Sequence, residues 1–310
     1  MKKYFLDLSS LTEAEIISIL DISDDIKRNP EKYSQEMKGK TLLMMFEKPS
    51  LRTRVSFETG MTQMGGHAIY YDISTSPMGK KESIEDTAKT SSRYVDIIMA
   101  RLFKHEHIIK LAENADVPVI NALTNFSHPC QILADLQTIR EKKGRLKGLK
   151  LAYLGDSNNN VTHSLLYGCS IVGMHISVGC PEGQEYKPMK KVVDKAKEIA
   201  QRSGSKITIT NNAKEAVKDA DVVYTDSWMS YHIPEEQKEQ RMKIFKPYQV
   251  NKELMSFAKP DLIFMNCLPA IRGMEQTADV IDGPQSVVFD EAENRIHTQK
   301  ALMLKLLGKE

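Results

Sequence analysis

The residues best suited to chemistry lie in one stretch, Phe46-Glu47-Lys48-Pro49-Ser50-Leu51-Arg52-Thr53-Arg54. An apolar run from Leu42 to Phe46 leads into it and predicts a buried strand. Phe57, Met61 and Met64 follow at i, i+4 and i+7, which is the spacing of one helix face. With a serine in the position of a helix N-cap, the pattern predicts a strand that turns directly into a helix.

Such a corner directs backbone N–H groups and the positive end of the helix dipole into one small volume. The side chains add two hydroxyls and two guanidinium groups, from Ser50, Arg52, Thr53 and Arg54. A phosphate or another compact dianion suits this volume, because guanidinium groups bind its oxygens bidentately. The spacing alone is also compatible with arginines that merely face solvent. The GxxxxGK[ST] pattern is absent, which argues against a nucleoside triphosphate loop.

The composition is that of an ordinary globular protein, and its 310 residues predict two domains. The net charge of +2 arises from 43 basic and 41 acidic residues, which gives no electrostatic basis for binding nucleic acid. The sequence has no apolar run of about 18 residues, so no membrane-spanning helix is expected. Asp7 follows the first residue too closely for a signal peptide, and we expect a cytoplasmic protein.

The four cysteines, Cys130, Cys169, Cys180 and Cys267, lie far apart without a CxxC pair. This spacing predicts neither a metal site nor a disulfide framework.

Polar clusters follow six predicted strands, at the point where each strand ends. In the N-terminal half these clusters are Ser50–Arg54, Arg101, and His128 with Gln131. In the C-terminal half they are Asn159 with Asn160, Asp226 with Ser230, and Cys267 with Leu268. Open parallel sheets bind ligands at the carboxyl ends of their strands, so we expect each set to line a ligand site.

The two sets suit different ligands. The first set is cationic and favours phosphate, whereas the second combines a carboxylate with amides and hydroxyls and favours the ammonium and carboxylate of an amino acid. We therefore predict an enzyme that joins a phosphate-bearing molecule to an amine. A dinucleotide-dependent oxidoreductase is disfavoured, because the GxGxxG fingerprint is missing after Gly155.

Three motifs resemble the ornithine carbamoyltransferases, within the aspartate/ornithine carbamoyltransferase family. Ser50-Leu51-Arg52-Thr53-Arg54, His128-Pro129-Cys130-Gln131 and Cys267-Leu268-Pro269 are similar to that family's SxRTR, HPxQ and HCLP motifs. The resemblance extends over nearly the whole chain through Gly155-Asp156, Asp226 with Trp228, and Ala292-Glu293-Asn294-Arg295. It implies transfer of the carbamoyl group of carbamoyl phosphate to the δ-amine of L-ornithine, giving L-citrulline and phosphate in arginine biosynthesis. It implies no cofactor, and a homotrimer or a multiple of trimers.

The resemblance also implies the fold: two three-layer α/β/α domains, each with a central, mainly parallel sheet, the second Rossmann-like. A charged segment marked by glycines, residues 141–148, predicts the boundary. We expect a carbamoyl phosphate-binding domain at 1–143 and an ornithine-binding domain at 144–290. A C-terminal helix at 291–310 is expected to return to the first domain.

By resemblance, the residues that bind carbamoyl phosphate are Ser50, Leu51, Arg52, Thr53, Arg101, His128, Gln131, Cys267, Leu268 and Arg295. The first four would hold the phosphate, and Arg101, His128 and Gln131 would polarise the carbamoyl oxygen as an oxyanion site. The residues that bind ornithine would be Leu123, Asn160, Asp226, Ser230 and Tyr231. The expected catalytic residues are Arg101, His128 and Cys267.

Three positions depart from the family pattern. Asn266 replaces the usual histidine, Ser230-Tyr231-His232 replaces Ser-Met-Gly in the ornithine-closing loop, and Pro77 replaces a residue that reaches the neighbouring subunit's site. These departures leave open another amine acceptor, such as putrescine or a modified ornithine. Asp226 disfavours aspartate as the acceptor, because two carboxylates repel each other. The intact motifs disfavour a catalytically silent paralogue that serves only as a binding protein.

Overall fold

The computed structural model describes residues 3–75, 78, 81–229 and 233–309. The chain divides into two compact units. Unit 1 consists of Met1–Gln137 with Glu293–Glu310, and unit 2 consists of Thr138–Ala292. The expectations for Pro77, Ser230 and Tyr231 concern positions outside the described residues.

The first part of the chain alternates strands and helices. The strands are β1 (Tyr4–Phe5), β2 (Thr41–Phe46), β3 (His67–Asp72), β4 (Ile97–Arg101) and β5 (Val119–Leu123). The helices are α1 (Glu13–Arg28), α2 (Leu51–Gln63), α3 (Ile84–Ser91), α4 (His105–Asn114) and α5 (Pro129–Lys143).

The second part repeats this alternation. Its strands are β6 (Lys150–Leu154), β7 (His175–Gly179), β8 (Ile207–Thr210), β9 (Val222–Thr225) and β10 (Ile263–Met265). Its helices are α6 (Asn160–Ile171), α7 (Lys190–Ser203), α8 (Ala213–Val217), α9 (Lys238–Phe245), α10 (Lys252–Met255) and α11 (Ala278–Ile281), followed by α12 (Val288–Leu306). No helix in the described ranges combines the length and the apolar character needed to cross a bilayer.

The sheet of unit 1 has the strand order β1-β5-β4-β2-β3, and its described strand pairs are all parallel. The chain leaves β2 toward β3 on one side and then returns to β4 on the other side of β2. This reversal of strand order opens a crevice at the carboxyl ends of β2 and β4, where doubly wound sheets bind their ligands. The register places Phe46 opposite Arg101, so both strands end at the same level.

The sheet of unit 2 has the order β10-β9-β6-β7-β8, again with parallel pairing throughout its described strands. Its reversal lies between β6 and β9, where Leu154 is opposite Thr225. This Rossmann-like order confirms the predicted fold. Both central strands have long buried runs, as expected for parallel strands with both faces covered.

Local sequence explains where the helices that flank the ligand-binding edges begin. Ser50 adopts an extended conformation and its hydroxyl accepts from the backbone N–H of Thr53, which confirms it as the N-cap of α2. Pro129 opens α5, a position where its missing N–H carries no cost. The last helix begins at Val288 rather than at the expected Glu291. Its first turn thus contains Asp290 and Glu291, which the helix dipole favours.

Candidate active site

The corner between β2 and α2 has one buried and one exposed side. Thr53 is 1% exposed, whereas Leu51 is 75% exposed. The Ser50 hydroxyl accepts from the Thr53 N–H at 3.3 Å, which holds the first helical turn against the sheet edge. The structure therefore places the hydroxyl of Thr53, rather than the side chain of Leu51, toward the interior of unit 1.

Two guanidinium groups reach Thr53, and neither belongs to Arg54. Arg101 at the end of β4 donates from Nη1 to the Thr53 hydroxyl at 3.5 Å, and Arg295 of α12 donates from Nη2 at 3.4 Å. Arg54 instead bonds to Glu58 at 3.2 Å and lies 4.1 Å from the centre of the Tyr70 ring. Arg54 thus fits the alternative that the sequence left open, an arginine at the exposed surface of α2. Two buried arginines from distant parts of the sequence supply the guanidinium groups.

Neutral acceptors orient Arg295. Its Nη1 donates to the amide oxygen of Gln131 at 2.7 Å. Gln299 turns its amide oxygen toward the same guanidinium and accepts from Nε and Nη2 at 3.1 and 2.9 Å. Gln131 in turn donates to Asp135 at 2.9 Å, one turn along α5. These contacts fix the direction of the guanidinium without cancelling its positive charge.

His128 lies among these cations at the start of α5. Burial lowers the pKa of His128 well below its usual value, and the positive charges of Arg295, Arg101, Arg52 and Lys48 lower it further. The imidazole is therefore neutral at pH 7, so one ring nitrogen donates a hydrogen bond and the other accepts one. We use the term cationic cluster for Lys48, Arg52, Arg101 and Arg295 together with His128.

Lys48 is the member of the cationic cluster that sequence reasoning missed. It is buried, donates to the Asn125 side chain at 3.0 Å and lies 4.4 Å from the centre of the Phe103 ring. Burial lowers the pKa of Lys48 to about 8, and the charge of Arg101 contributes to this shift. Its position between the end of β2 and the N-cap Ser50 is the signal in the sequence for this role.

The other sequence-predicted residue of unit 1 is Leu123. It ends β5, is buried, and stands opposite Arg101 in the sheet register. The carboxyl ends of three neighbouring strands, β2, β4 and β5, thus bring the predicted residues of unit 1 together.

In unit 2, the ends of β9 and β10 bring Asp226 and Cys267 into contact. The Cys267 thiol donates to Asp226 Oδ1 at 3.2 Å, and the Ser227 backbone N–H donates to the same oxygen at 2.7 Å. Both donors are neutral groups, and together they orient the carboxylate. A carboxylate held in this way attracts an ammonium group.

Asn266 explains how this sequence builds the turn after β10 without the histidine that the family usually has. Its side-chain oxygen accepts from the Leu268 N–H at 2.8 Å, and its amide nitrogen donates to Gln276 at 3.2 Å. Leu268 has φ +53°, in the left-handed region, and precedes Pro269 through a cis peptide bond. The buried Asn266 side chain thus pairs with the Leu268 N–H within the turn that contains the backbone carbonyls of Cys267 and Leu268.

Asn160 is the first residue of α6, at the end of β6. Asn159 caps this helix by accepting from the Thr162 N–H at 2.8 Å, and it also donates to the Asp156 carbonyl at 2.7 Å. The strand ends of β6, β9 and β10 therefore carry Asn160, Asp226 and Cys267 at one edge of the second sheet. The remaining expected ligands, Ser230 and Tyr231, lie outside the described residues.

The environment of His128 predicts a pH-dependent stability. Below pH 6.5 the unfolded chain takes up a proton at this histidine, whereas the folded chain does not, so acid favours unfolding. Between pH 7.5 and 5.5 the wild type should lose about 1.4 kcal/mol more unfolding free energy than His128→Gln. Urea unfolding at both pH values measures this difference, and His67→Gln, at an exposed side chain, controls for loss of one histidine. Equal losses in wild type and His128→Gln would contradict the prediction.

The turn after β10 predicts a second effect on stability. Asn266→Ala removes a buried amide that pairs with the Leu268 N–H and with the Gln276 amide oxygen. Loss of these hydrogen bonds should lower the free energy of unfolding by about 1–3 kcal/mol. Urea unfolding measures the loss. Asn211→Ala, at an exposed asparagine of the same unit, should change stability by less than about 0.5 kcal/mol. A loss in Asn266→Ala no larger than that of the control would show that the amide does not support the turn.

Comparison with known proteins identifies the family. Residues 3–141 match the model "Aspartate/ornithine carbamoyltransferase, carbamoyl-P binding domain", and residues 147–306 match "Aspartate/ornithine carbamoyltransferase, Asp/Orn binding domain". The ornithine carbamoyltransferase of Methanocaldococcus jannaschii is 50% identical over 300 residues, which cover 96% of this chain and 97% of the relative. That of Oceanobacillus iheyensis is 52% identical over 306 residues, which cover 98% and 94%.

Solved structures agree with these sequence relatives. The ornithine carbamoyltransferase from Pyrococcus furiosus has a TM-score of 0.94 at 49% identity, covering 99% of this chain and 97% of that chain. The ornithine transcarbamoylase from Giardia lamblia has a TM-score of 0.91 at 45% identity, covering 99% and 98%. The resemblance carried by the three motifs is therefore confirmed, and the chain belongs to the aspartate/ornithine carbamoyltransferase family.

Proposed function

We propose that this protein transfers the carbamoyl group of carbamoyl phosphate to the δ-amine of L-ornithine, giving L-citrulline and phosphate. The observation that carries the proposal is the cationic cluster, in which Arg101 and Arg295 converge on the buried hydroxyl of Thr53. Guanidinium groups present N–H donors in a planar geometry that suits an anionic ligand. Family membership, with relatives named ornithine carbamoyltransferase at about half identity over nearly the whole chain, supports the reaction.

Unit 1 is proposed to bind carbamoyl phosphate. The backbone N–H groups at the start of α2, with Ser50, Arg52 and Thr53, would hold the phosphate at the positive end of the helix dipole. Leu51 contributes through its backbone, because its side chain is exposed. Arg101 and the neutral His128 would hydrogen-bond the carbamoyl oxygen and stabilise the negative charge that develops on it.

Gln131 and Arg295 support this oxyanion site. The 2.7 Å bond between them fixes the guanidinium, which also reaches Thr53. The backbone carbonyls of Cys267 and Leu268 are assigned to the carbamoyl NH2 group.

Unit 2 is proposed to bind ornithine through Asp226 and Asn160, together with Ser230 and Tyr231; Leu123 of unit 1 is assigned to its aliphatic chain. The attacking δ-amine must be neutral, and removing its proton near pKa 10 costs about 4 kcal/mol at pH 7. Desolvation and the neighbouring Cys267 thiol would lower that cost. The amine nitrogen then forms a bond to the carbamoyl carbon as the bond from that carbon to the phosphate oxygen breaks. The departing phosphate accepts the amine proton.

The family pattern supports further proposals about organisation. We assign carbamoyl phosphate binding to residues 1–143 with the C-terminal helix, and ornithine binding to 144–290. We propose a homotrimer or a multiple of trimers. The free cysteines, three of them buried, favour a cytoplasmic location.

A different amine, such as putrescine or a modified ornithine, is the second candidate acceptor, because residues 230–232 depart from the family's Ser-Met-Gly. The Asp226 carboxylate favours ornithine over these amines, since it suits a free α-ammonium group. Citrulline formation compared with turnover of putrescine and of N-acylated ornithines decides between them. Faster turnover of putrescine or of an N-acylated ornithine would exclude ornithine as the preferred acceptor.

Separate binding of the two substrates predicts that mutations affect them separately. Arg52→Ala should weaken carbamoyl phosphate binding about 10- to 100-fold, because it removes charged hydrogen bonds to the phosphate. Asp226→Ala should leave carbamoyl phosphate binding within about twofold and raise the KM for ornithine by a similar 10- to 100-fold. Calorimetry with carbamoyl phosphate and a citrulline assay measure the two effects. Arg54→Ala, which removes a solvent-exposed guanidinium two residues away, is the matched control. Equal losses of carbamoyl phosphate binding in Arg52→Ala and Asp226→Ala would contradict the assignment.

The lowered pKa of Lys48 predicts a pH dependence of anion binding. As pH rises through about 8, Lys48 loses its proton and the cationic cluster loses one positive charge. The affinity for inorganic phosphate should therefore fall about tenfold between pH 7.5 and 9.5, as measured by calorimetry. Lys48→Arg keeps a positive charge over this range and should show a flat profile. The same decline in Lys48→Arg would exclude Lys48 as its cause.

A further inference from the structure

Arg241 has no ligand-binding role in the proposal above, yet it joins the two strand ends that carry the predicted ornithine ligands. We propose that Arg241 is a positioning residue, which holds the loop after β9 so that Asp226 keeps its orientation toward the amino acid. The effect on ornithine rests on the proposed function. The effect on the loop itself does not.

Arg241 lies on α9 and is buried. Its Nε donates to the backbone carbonyl of Trp228 at 2.7 Å, and its Nη2 forms an ion pair with the carboxylate of Asp156. The guanidinium carbon also lies 4.9 Å from the centre of the Phe245 ring. A guanidinium presents donors in several fixed directions within one rigid plane, so it bridges two acceptors that a single ammonium cannot hold equally well.

Trp228 is fixed by its side chain as well as by its carbonyl. The residue is 1% exposed. The indole ring stacks on Phe245 with 5.7 Å between ring centres. Arg241 and Phe245, one turn apart on α9, thus contact the carbonyl and the indole ring of one residue, which lies two positions after Asp226.

Gly155 gives the indole its place at the end of β6. Its φ of +119° lies in a region that side-chain-bearing residues rarely adopt, and an added Cβ would lie 2.9 Å from Trp228 Nε1. The paired sequence features Gly155-Asp156 and Asp226 with Trp228 therefore have a common explanation. The glycine admits the ring, and the aspartate holds the arginine that fixes the loop.

Asp156 connects Arg241 to the second ligand-bearing strand end. The Asp156 carbonyl accepts from the Tyr153 hydroxyl and from the Asn159 side chain, both at 2.7 Å. Asn159 caps α6, whose first residue is Asn160. Arg241 therefore ties the loop of Asp226, after β9, to the helix start of Asn160, after β6. These are the two strands between which the order of the sheet reverses.

The test uses the full-length protein and the fact that Trp228 is its single tryptophan. Arg241→Met removes both contacts of the guanidinium. Arg241→Lys keeps the charge but presents one nitrogen instead of a fork, and it provides a folded variant if the methionine variant fails to fold. Leu254→Ala, in the apolar core of unit 2, is the control for a loss of stability that leaves these contacts intact. The unfolding midpoint of Leu254→Ala, compared with those of the Arg241 variants, identifies conditions in which all of these variants are equally folded.

Two measurements distinguish positioning from general destabilisation. Acrylamide quenching of Trp228 fluorescence, without substrates, should rise at least about twofold in Arg241→Met, less in Arg241→Lys, and not in Leu254→Ala. The KM for ornithine should rise at least about tenfold in Arg241→Met, with an intermediate rise in Arg241→Lys. The KM for carbamoyl phosphate should stay within about twofold, because its phosphate and carbamoyl oxygen are assigned to unit 1. The carbonyls assigned to its NH2 group follow β10 rather than β6 or β9.

The opposite results would overturn the inference. Unchanged quenching in folded Arg241→Met, or in Arg241→Lys if only that variant folds, would show that Arg241 does not fix the loop. An equal rise in quenching in Leu254→Ala would show that Arg241 contributes to stability alone. Wild-type quenching in Arg241→Lys would refute the proposal that one guanidinium bridges two acceptors. Absence of citrulline formation by the wild type would refute the proposed function instead. The quenching experiment would still decide whether Arg241 holds Trp228.

Discussion

Positive charge collected at one edge of a buried sheet is the constraint on which unit 1 depends. Arg101 and Arg295 reach the same threonine hydroxyl. Burial lowers the pKa of His128, and the charges of Arg295, Arg101 and Lys48 lower it further. Like charges brought together away from water repel each other, and such a cluster is costly unless it has a counter-charge. A bound dianion relieves this repulsion. Relief of this repulsion therefore contributes to the affinity of the cationic cluster for an anion.

The sheet order explains why the cluster forms where it does. In each unit the chain leaves an inner strand, β2 or β6, builds to one side and then crosses to the other, so two adjacent strands send their following segments apart. Side chains at those two carboxyl ends face a gap that backbone does not fill. In unit 1 the gap receives Thr53 and Arg101. In unit 2 the same reversal of strand order places Asn160 and Asp226 at the gap. The same topology thus positions residues for two ligands of opposite charge.

Sequence reasoning found what depends on local pattern and missed what depends on distant partners. Continuous apolar runs predicted the central strands, and a serine before a helical stripe predicted the N-cap of α2, because both signals lie within a few residues. Arg54 has a local partner, Glu58, four residues along the same helix, but its contact with Tyr70 in a neighbouring strand was not predictable. The roles of Lys48 and Arg241 were missed for the same reason. Their contacts, Asn125 and Asp156, are 77 and 85 residues away in the chain.

The two units use buried arginines in opposite ways, and the difference follows from the charge of the proposed ligands. Neutral groups, the amide of Gln131 and the hydroxyl of Thr53, orient Arg295, whose guanidinium is assigned to an anionic ligand. The carboxylate of Asp226 is assigned to an ammonium group. Arg241 instead forms its ion pair with Asp156 and reaches the Asp226 loop through the backbone carbonyl of Trp228. The loop thereby gains the rigidity of a buried ion pair, while Asp226 is oriented by the neutral Ser227 N–H and Cys267 thiol.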